Sequence, residues 1–181
     1  MNTIQITILG LFLVGFLIFE IAELRRHRMN TLYLDSIGGD VVLCQDFRSM
    51  YRMFYIVPLI GVVEGCINPF QNNRLILAIG VLCVTSGFFL RVSAFSALGE
   101  YWSRSLRFVR GASTVRHGPY RFLGHPEYLG RMIEVLGILI VAYAPLTMLI
   151  LTPTLIFRYL RTIVVEQSQI DALSEPARGQ S

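Results

Sequence analysis

The feature that most constrains this chain is a first apolar run, Ile4 to Ala22, which has roughly the 20 or so residues needed to cross a bilayer. It is followed at once by Arg25, Arg26 and Arg28. A cleaved signal peptide carries its positive charge ahead of the apolar stretch, whereas here no charge precedes it and no small-residue cleavage site follows. A retained span is therefore expected, with its arginine-flanked end in the cytoplasm and its N-terminus outside. The whole chain agrees with that solvent: 54% of its residues are hydrophobic and only 15% are charged, against about a quarter charged in an ordinary soluble domain.

Four further apolar runs follow. Met53 to Cys66 and Leu75 to Leu90 read as a helical hairpin about a polar turn, Asn68 to Arg74. A fourth span starts at Pro126 and runs to about Tyr143, and after an Ala144-Pro145 turn a fifth runs from Leu146 to Leu160. Met29 to Arg48 reads as a cytoplasmic loop, with Gly38-Gly39-Asp40 as a turn. The segment from Arg91 to Arg121 carries Arg104, Arg107, Arg110 and Arg116 and suits the anionic headgroup layer. Every basic residue is an arginine, and the net charge of +4 sits at the ends of apolar runs instead of forming a basic stripe with aromatics. Membrane orientation explains this better than nucleic acid. Cys44, Cys66 and Cys83 are too few and too scattered for a zinc site or a disulfide framework.

The expected fold is an all-α integral membrane protein of about five transmembrane helices, with residues 1–181 forming a single membrane domain. Within it, 1–91 hold the N-terminal spans, 92–170 a catalytic half and 171–181 a loose tail. Nearly every arginine then lies in the cytoplasm.

The most informative residues are Leu98-Gly-Glu-Tyr-Trp-Ser and, further on, Arg116-His-Gly-Pro-Tyr-Arg-Phe-Leu-Gly-His-Pro-Glu-Tyr-Leu-Gly-Arg-Met-Ile-Glu-Val-Leu-Gly137. Pro126 suits the first turn of a helix, which puts His125 near the N-cap and Glu127 in a first turn that favours negative charge. Free N–H groups there suit a carboxylate. On that helix Glu127 and Arg131 are four apart, and Glu134 lies three beyond Arg131. Charges at that depth normally face a bundle interior or a cavity, so Arg131 and Glu134 are expected to point inward, toward each other or a ligand.

Together these residues resemble the isoprenylcysteine carboxyl methyltransferase family and its wider group, which includes phospholipid methyltransferases. Gly118, Tyr120, His125, Pro126, Tyr128 and Gly130 fall in register with that family's signature. The resemblance implies S-adenosylmethionine as cofactor, a cytoplasmic-side pocket formed by the C-terminal half, and a lipophilic acceptor that enters from the bilayer. It implies cofactor contacts at Gly118, Tyr120, Arg121, His125, Pro126 and Tyr128, and catalytic positions at Arg131, Glu134, Arg161 and Glu166. Where relatives have Arg before His-Pro this chain has Gly124, so one cationic partner for the cofactor or substrate is missing or supplied from elsewhere, such as by Arg121. Arg161 is followed by one carboxylate, Glu166, where relatives have a pair.

Methyl transfer from a sulfonium is an in-line displacement that needs no metal, and positioning matters most. Tyr120, Tyr128 or Trp102 suits a sulfonium or an adenine face, and Arg121, Arg131 or Arg161 suits an acidic acceptor. A carboxylate acceptor is already ionised at neutral pH, whereas an amine or phenol needs a base such as Glu134, Glu166 or His125. Plainer roles stand beside these. His125 alone suits a simple N-cap, Tyr101, Trp102 and Tyr128 suit an interfacial aromatic belt, and Gly130 and Gly137 suit close helix packing. Arg131 with Glu134 suits a structural ion pair, and Glu64, near an outer membrane end, reads as solvated. Two other functions compete: a nicotinamide-dependent membrane reductase of the sterol-reductase type, and a scaffold that keeps the fold without catalysis.

Overall fold

A computed structural model describes residues 3–38, 40–42, 45–67, 73–102, 106–108 and 115–174. Five helices carry the fold: α1 (Thr3–Ser36), α2 (Gln45–Ile67), α3 (Arg74–Leu98), α4 (Pro126–Ala142) and α5 (Pro145–Ser174). Single 3-10 turns occupy Gly99–Tyr101 and Gly118–Arg121. A short antiparallel ladder pairs β1 (Asp40–Val42) with β2 (Leu106–Phe108), Val41 lying opposite Arg107. Of the basic segment's arginines, Arg104 and Arg110 lie outside the described residues.

The helices outlast the apolar runs that suggested them. No glycine or proline lies between Gly15 and Gly38, so α1 continues through its arginines to Ser36 and ends beside Gly38, whose φ is 76°. The stretch expected as loop from Met29 is thus helical for its first part: a polar residue ends a membrane span but not a helix. For the same reason α2 starts at Gln45 and α3 passes Arg91 to reach Leu98, where Gly99 takes φ 56°. Asn73 starts α3 by accepting from the N–H groups of Leu75 and Ile76 at 3.0 and 3.4 Å. Residues 68–72 of the expected turn lie outside the described residues. At the other end α5 runs on to Ser174, so the tail expected from Asp171 begins as helix, and 175–181 lie outside the described residues.

Helix α4 is the axis of the bundle. Thirteen of its seventeen residues are buried, so it needs its neighbours on nearly every side. Glycines let them approach. A Cβ at Gly87 of α3 would lie 2.6 Å from the Gly130 carbonyl oxygen, and one at Gly137 of α4 2.6 Å from Val84 N. On the other flank, a Cβ at Gly65 of α2 would lie 2.1 Å from the Ala142 carbonyl oxygen. One core joins α2, α4 and α5 through Phe54, Val57, Met132, Val135, Leu139 and Leu155. A second joins α1, α3 and α4 through Leu9, Val84, Ile138 and Val141.

The α2–α3 and α4–α5 hairpins turn at the same end. There the Tyr143 hydroxyl donates to the Asn73 carbonyl at 2.7 Å and accepts from its N–H at 2.9 Å. Glu64 is engaged at that end too, its carboxylate accepting from the N–H groups of Leu146 and Thr147 at 2.9 and 2.7 Å. It serves as a remote N-cap for α5, because Ala144 at the N-cap position offers no side-chain oxygen. Glu64→Ala is expected to cost about 1 kcal/mol of stability, read as a lowered unfolding midpoint in detergent, and an unchanged midpoint would refute the cap.

Outside this core the surface is apolar. Leu11, Leu17 and Ile18 of α1, Leu82 and Phe89 of α3, and Leu149, Ile150 and Phe157 of α5 are all more than half exposed. A water-facing surface does not carry so continuous an apolar area. The segments Ile6–Ser36, Arg74–Tyr101 and Pro145–Val165 are long and apolar enough to cross a membrane.

Candidate functional site

The two stretches that carry the family resemblance, from Leu98 and from Arg116, come together where α3 ends and α4 begins. Trp102 closes the 3-10 turn after α3, packs edge-on against Phe95 with ring centroids 4.6 Å apart, and is 1% exposed. Its Nε1–H donates to Glu127 Oε2 at 2.8 Å, which ties the Leu98–Trp102 stretch to the first turn of α4. From α1, Asn30 Nδ2 donates to the carbonyls of Gly99 at 3.0 Å and Trp102 at 2.7 Å. Trp102 is therefore interior, not part of an interfacial belt, because Glu127 satisfies its one polar atom. Tyr101 is about half exposed and keeps the belt position.

At the start of α4, Pro126 occupies the first turn and His125 the N-cap, but the His125 side chain makes no capping bond. Its ring stacks on Tyr128, centroids 5.5 Å apart and planes 6° from parallel. Tyr128 is buried, and its ring meets Tyr159 of α5 edge-on at 5.9 Å. Burial pushes the His125 imidazole below its ordinary value of 6.5, so the ring is neutral at pH 7. Gly118 opens the preceding turn at φ 58°, where a β-carbon is strained. Tyr120 is half-buried and Arg121 is exposed. Gly124 faces open space: a Cβ there would meet nothing within 4 Å.

Deeper along α4 lies a cluster of buried charge. Arg91 on α3 is fully buried and donates to Glu20 at 3.2 Å, to Glu23 at 2.7 Å and to Glu134. Arg131, 1% exposed, donates to the same Glu20 and Glu23, each at 2.9 Å. Tyr55 of α2 donates its hydroxyl to Glu20. The Arg91 guanidinium lies 4.7 Å above the Phe19 ring and that of Arg131 5.6 Å from Phe54. Four helices thus share one polar centre: Arg131 and Glu134 point inward as expected, but the ion pairs shown join Arg131 to Glu20 and Glu23 and Glu134 to Arg91, where a pairing with each other or a ligand was expected.

Sequence reasoning missed Glu20, Glu23 and Arg91. Arg91 looked like the boundary of a span, and Glu20, inside the Ile4–Ala22 run, and Glu23, just past it, were not singled out. Their signal was present: two carboxylates three apart on one face of an apolar helix need a cation from another.

The site residues expected from sequence fall into three places. His125, Pro126 and Tyr128 gather at the start of α4, with Gly118, Tyr120 and Arg121 on the turn just before it. Arg131 and Glu134 belong to the buried cluster. Arg161 lies exposed on α5; Glu166 is carried by the same helix, and its side chain lies outside the described residues.

Long apolar helices around a buried polar centre make this chain a multi-pass integral membrane protein. Residues 78–171, from α3 through most of α5, match the isoprenylcysteine carboxyl methyltransferase family. The chain belongs to that family. Among curated proteins, the uncharacterized protein YpbQ of Bacillus subtilis (strain 168) is 36% identical over 59 residues, which are 33% of this chain and 35% of YpbQ. No solved structure matches.

Proposed function

We propose that this protein transfers a methyl group from S-adenosylmethionine to a lipophilic acceptor at the cytoplasmic face of the membrane. The observation that carries the reading is the start of α4, where the His125 imidazole and the buried Tyr128 phenol are stacked beside a helix N-terminus that the N-cap side chain does not itself cap. That donor set suits the cofactor. The amides of Glu127 and Tyr128 suit its carboxylate, and Tyr120, with the His125–Tyr128 stack, offers aromatic faces for a cation or an adenine. Glu127 itself is turned toward Trp102, whose Nε1–H it accepts at Oε2.

When bound, S-adenosylmethionine would supply an electrophilic methyl on a sulfonium, for in-line displacement by the acceptor's lone pair with the methyl–sulfur bond breaking and S-adenosylhomocysteine leaving. The chain's own work is placement. Pro126 and Gly118 shape the turn, and Tyr159 backs the Tyr128 ring. We assign the exposed Arg121 and Arg161 the task of orienting an acidic acceptor, and Glu166 a supporting place with them. Arg131 and Glu134 act from within the cluster, setting the depth and rotation of α4. A carboxylate of a prenylcysteine-like group, a lipid amine and a phenol are the acceptor classes this placement serves.

In this reading the five helices alternate across the bilayer, with the N-terminus outside and the hairpin turns at Asn73 and Tyr143 together on the outer side. The ends of α1 and α3 and the start of α4 then lie inside. The shared end of the two hairpins supports that arrangement. Although α4 has only 17 residues, fewer than the 20 or so of a lone span, it is enclosed by other helices and needs no lipid-facing surface of its own.

Titration of the purified protein with S-adenosylmethionine, S-adenosylhomocysteine and NADPH tests this. Binding of the first two is expected; binding of NADPH alone would favour a reductase, and binding of none a scaffold. The lowered His125 value gives a second test. The unfolded chain takes up a proton before the folded one does, so stability falls as the pH drops below about 6.5. His125→Asn is expected to flatten that part of the stability profile, and an unchanged slope would show that His125 is not the group responsible.

A further inference from the structure

Between α1 and α3 lies a half-open cavity of about 380 Å³, floored by Glu134 and Ile138 of α4. Phe12, Phe16, Phe19 and Phe88 supply much of its wall, and Arg91 and Glu134 are its charged lining residues. Both side helices carry candidate spans, so the opening faces bilayer hydrocarbon. Along α1 the lining runs from Leu11 to Ala22, about 16 Å at 1.5 Å per residue.

We propose that this cavity is a binding site for one acyl chain of a bilayer phospholipid. The site runs about 16 Å along α1 and is walled largely by apolar side chains, which suits hydrocarbon. A single hydrocarbon chain is long and thin enough, and the volume lies within the usual range of about 300–1,000 Å³ for small-molecule sites. Position decides against the methyl acceptor. From the cavity toward the start of α4 the helix presents Glu134 and then Arg131, both inside the buried charge cluster. A chain in the cavity is therefore separated from His125 and Tyr128 by that cluster.

The occupant has a task there. Arg91 and Glu134 line the cavity, and Phe19, which lies over the Arg91 guanidinium, lines it too. A hydrocarbon chain along these aromatic rings keeps water from the ion pairs and so preserves the low dielectric in which they are strong.

Two glycines of α1 make the test. Gly15 lines the cavity and Gly10 does not, yet a Cβ at either meets nothing within 4 Å, so neither substitution begins with a clash at the β-carbon. Wild type, Gly10→Leu and Gly15→Leu are purified in detergent, offered palmitoyl-oleoyl-phosphatidylcholine, and compared by native mass spectrometry. One tightly held phospholipid per chain is expected in wild type and Gly10→Leu, with binding about tenfold weaker or more in Gly15→Leu, whose isobutyl group displaces several methylenes. Equal binding in all three, or no retained phospholipid in wild type, would overturn the proposal. So would a change of Gly15→Leu from dimer to monomer without loss of lipid, or transfer of label to the retained phospholipid from methyl-labelled S-adenosylmethionine.

Discussion

Arg91→Leu is expected to lower the stability of the folded protein by about 3–5 kcal/mol, the usual cost of leaving a buried charge without its partner. Arg91 joins Glu20 and Glu23 on α1 to Glu134 on α4, so its loss takes one buried cation away from three buried carboxylates. The unfolding midpoint in detergent reads the effect directly. Arg91→Leu combined with Glu134→Leu is expected to recover part of the loss, because removing both charges also removes their desolvation cost. An Arg91→Leu protein as stable as wild type would mean that the cluster does not hold the helices together.

The second large effect is steric. Gly87→Leu places a β-carbon 2.6 Å from the Gly130 carbonyl oxygen and 2.8 Å from Glu134 N. Both are backbone atoms of α4 and cannot swing aside, so the helices must separate. A cost of about 3 kcal/mol, the upper part of the usual range for overpacking, is expected. Separation also pulls Trp102 away from Glu127, so methyl transfer should fall with stability. Gly124→Arg is the contrasting case: with open space around Gly124, the fold should tolerate it with an unchanged midpoint, although it is a Gly→Arg change beside the site. Unfolding midpoints of the two variants side by side check both statements, and equal losses would contradict the packing shown.

How much of this was legible in the sequence follows from which interactions are local. The start of α4 was readable because Pro126 and His125 act on the turn they belong to, and Tyr143, Ala144 and Pro145 punctuate the chain where α4 gives way to α5. The apolar runs announced helices in a membrane, but not their ends: α1 outlasts its span because Arg25 to Arg28 favour water without opposing helix. Glu64 looked solvated for want of a partner within reach along the chain, and its partners are the amides of Leu146 and Thr147. Trp102 looked interfacial for the same reason, since Glu127 lies on another helix. The charge cluster was half seen. Arg131 and Glu134 were recognisable as inward-facing, but pairing them with Glu20, Glu23 and Arg91 requires knowing that α1 and α3 flank α4, and only the glycine contacts of the folded bundle establish the second of those approaches.

The central claim is that the start of α4 holds a methyl donor beside a lipophilic acceptor. Incubating membranes that contain the protein with methyl-labelled S-adenosylmethionine, then extracting with organic solvent, tests it most directly. Label should enter a lipophilic product in wild-type membranes and fall by roughly a hundredfold or more with His125→Ala or Tyr128→Phe, if positioning contributes as it commonly does, while both variants remain folded. Label confined to the aqueous phase, or a product unaffected by both substitutions, would contradict the account.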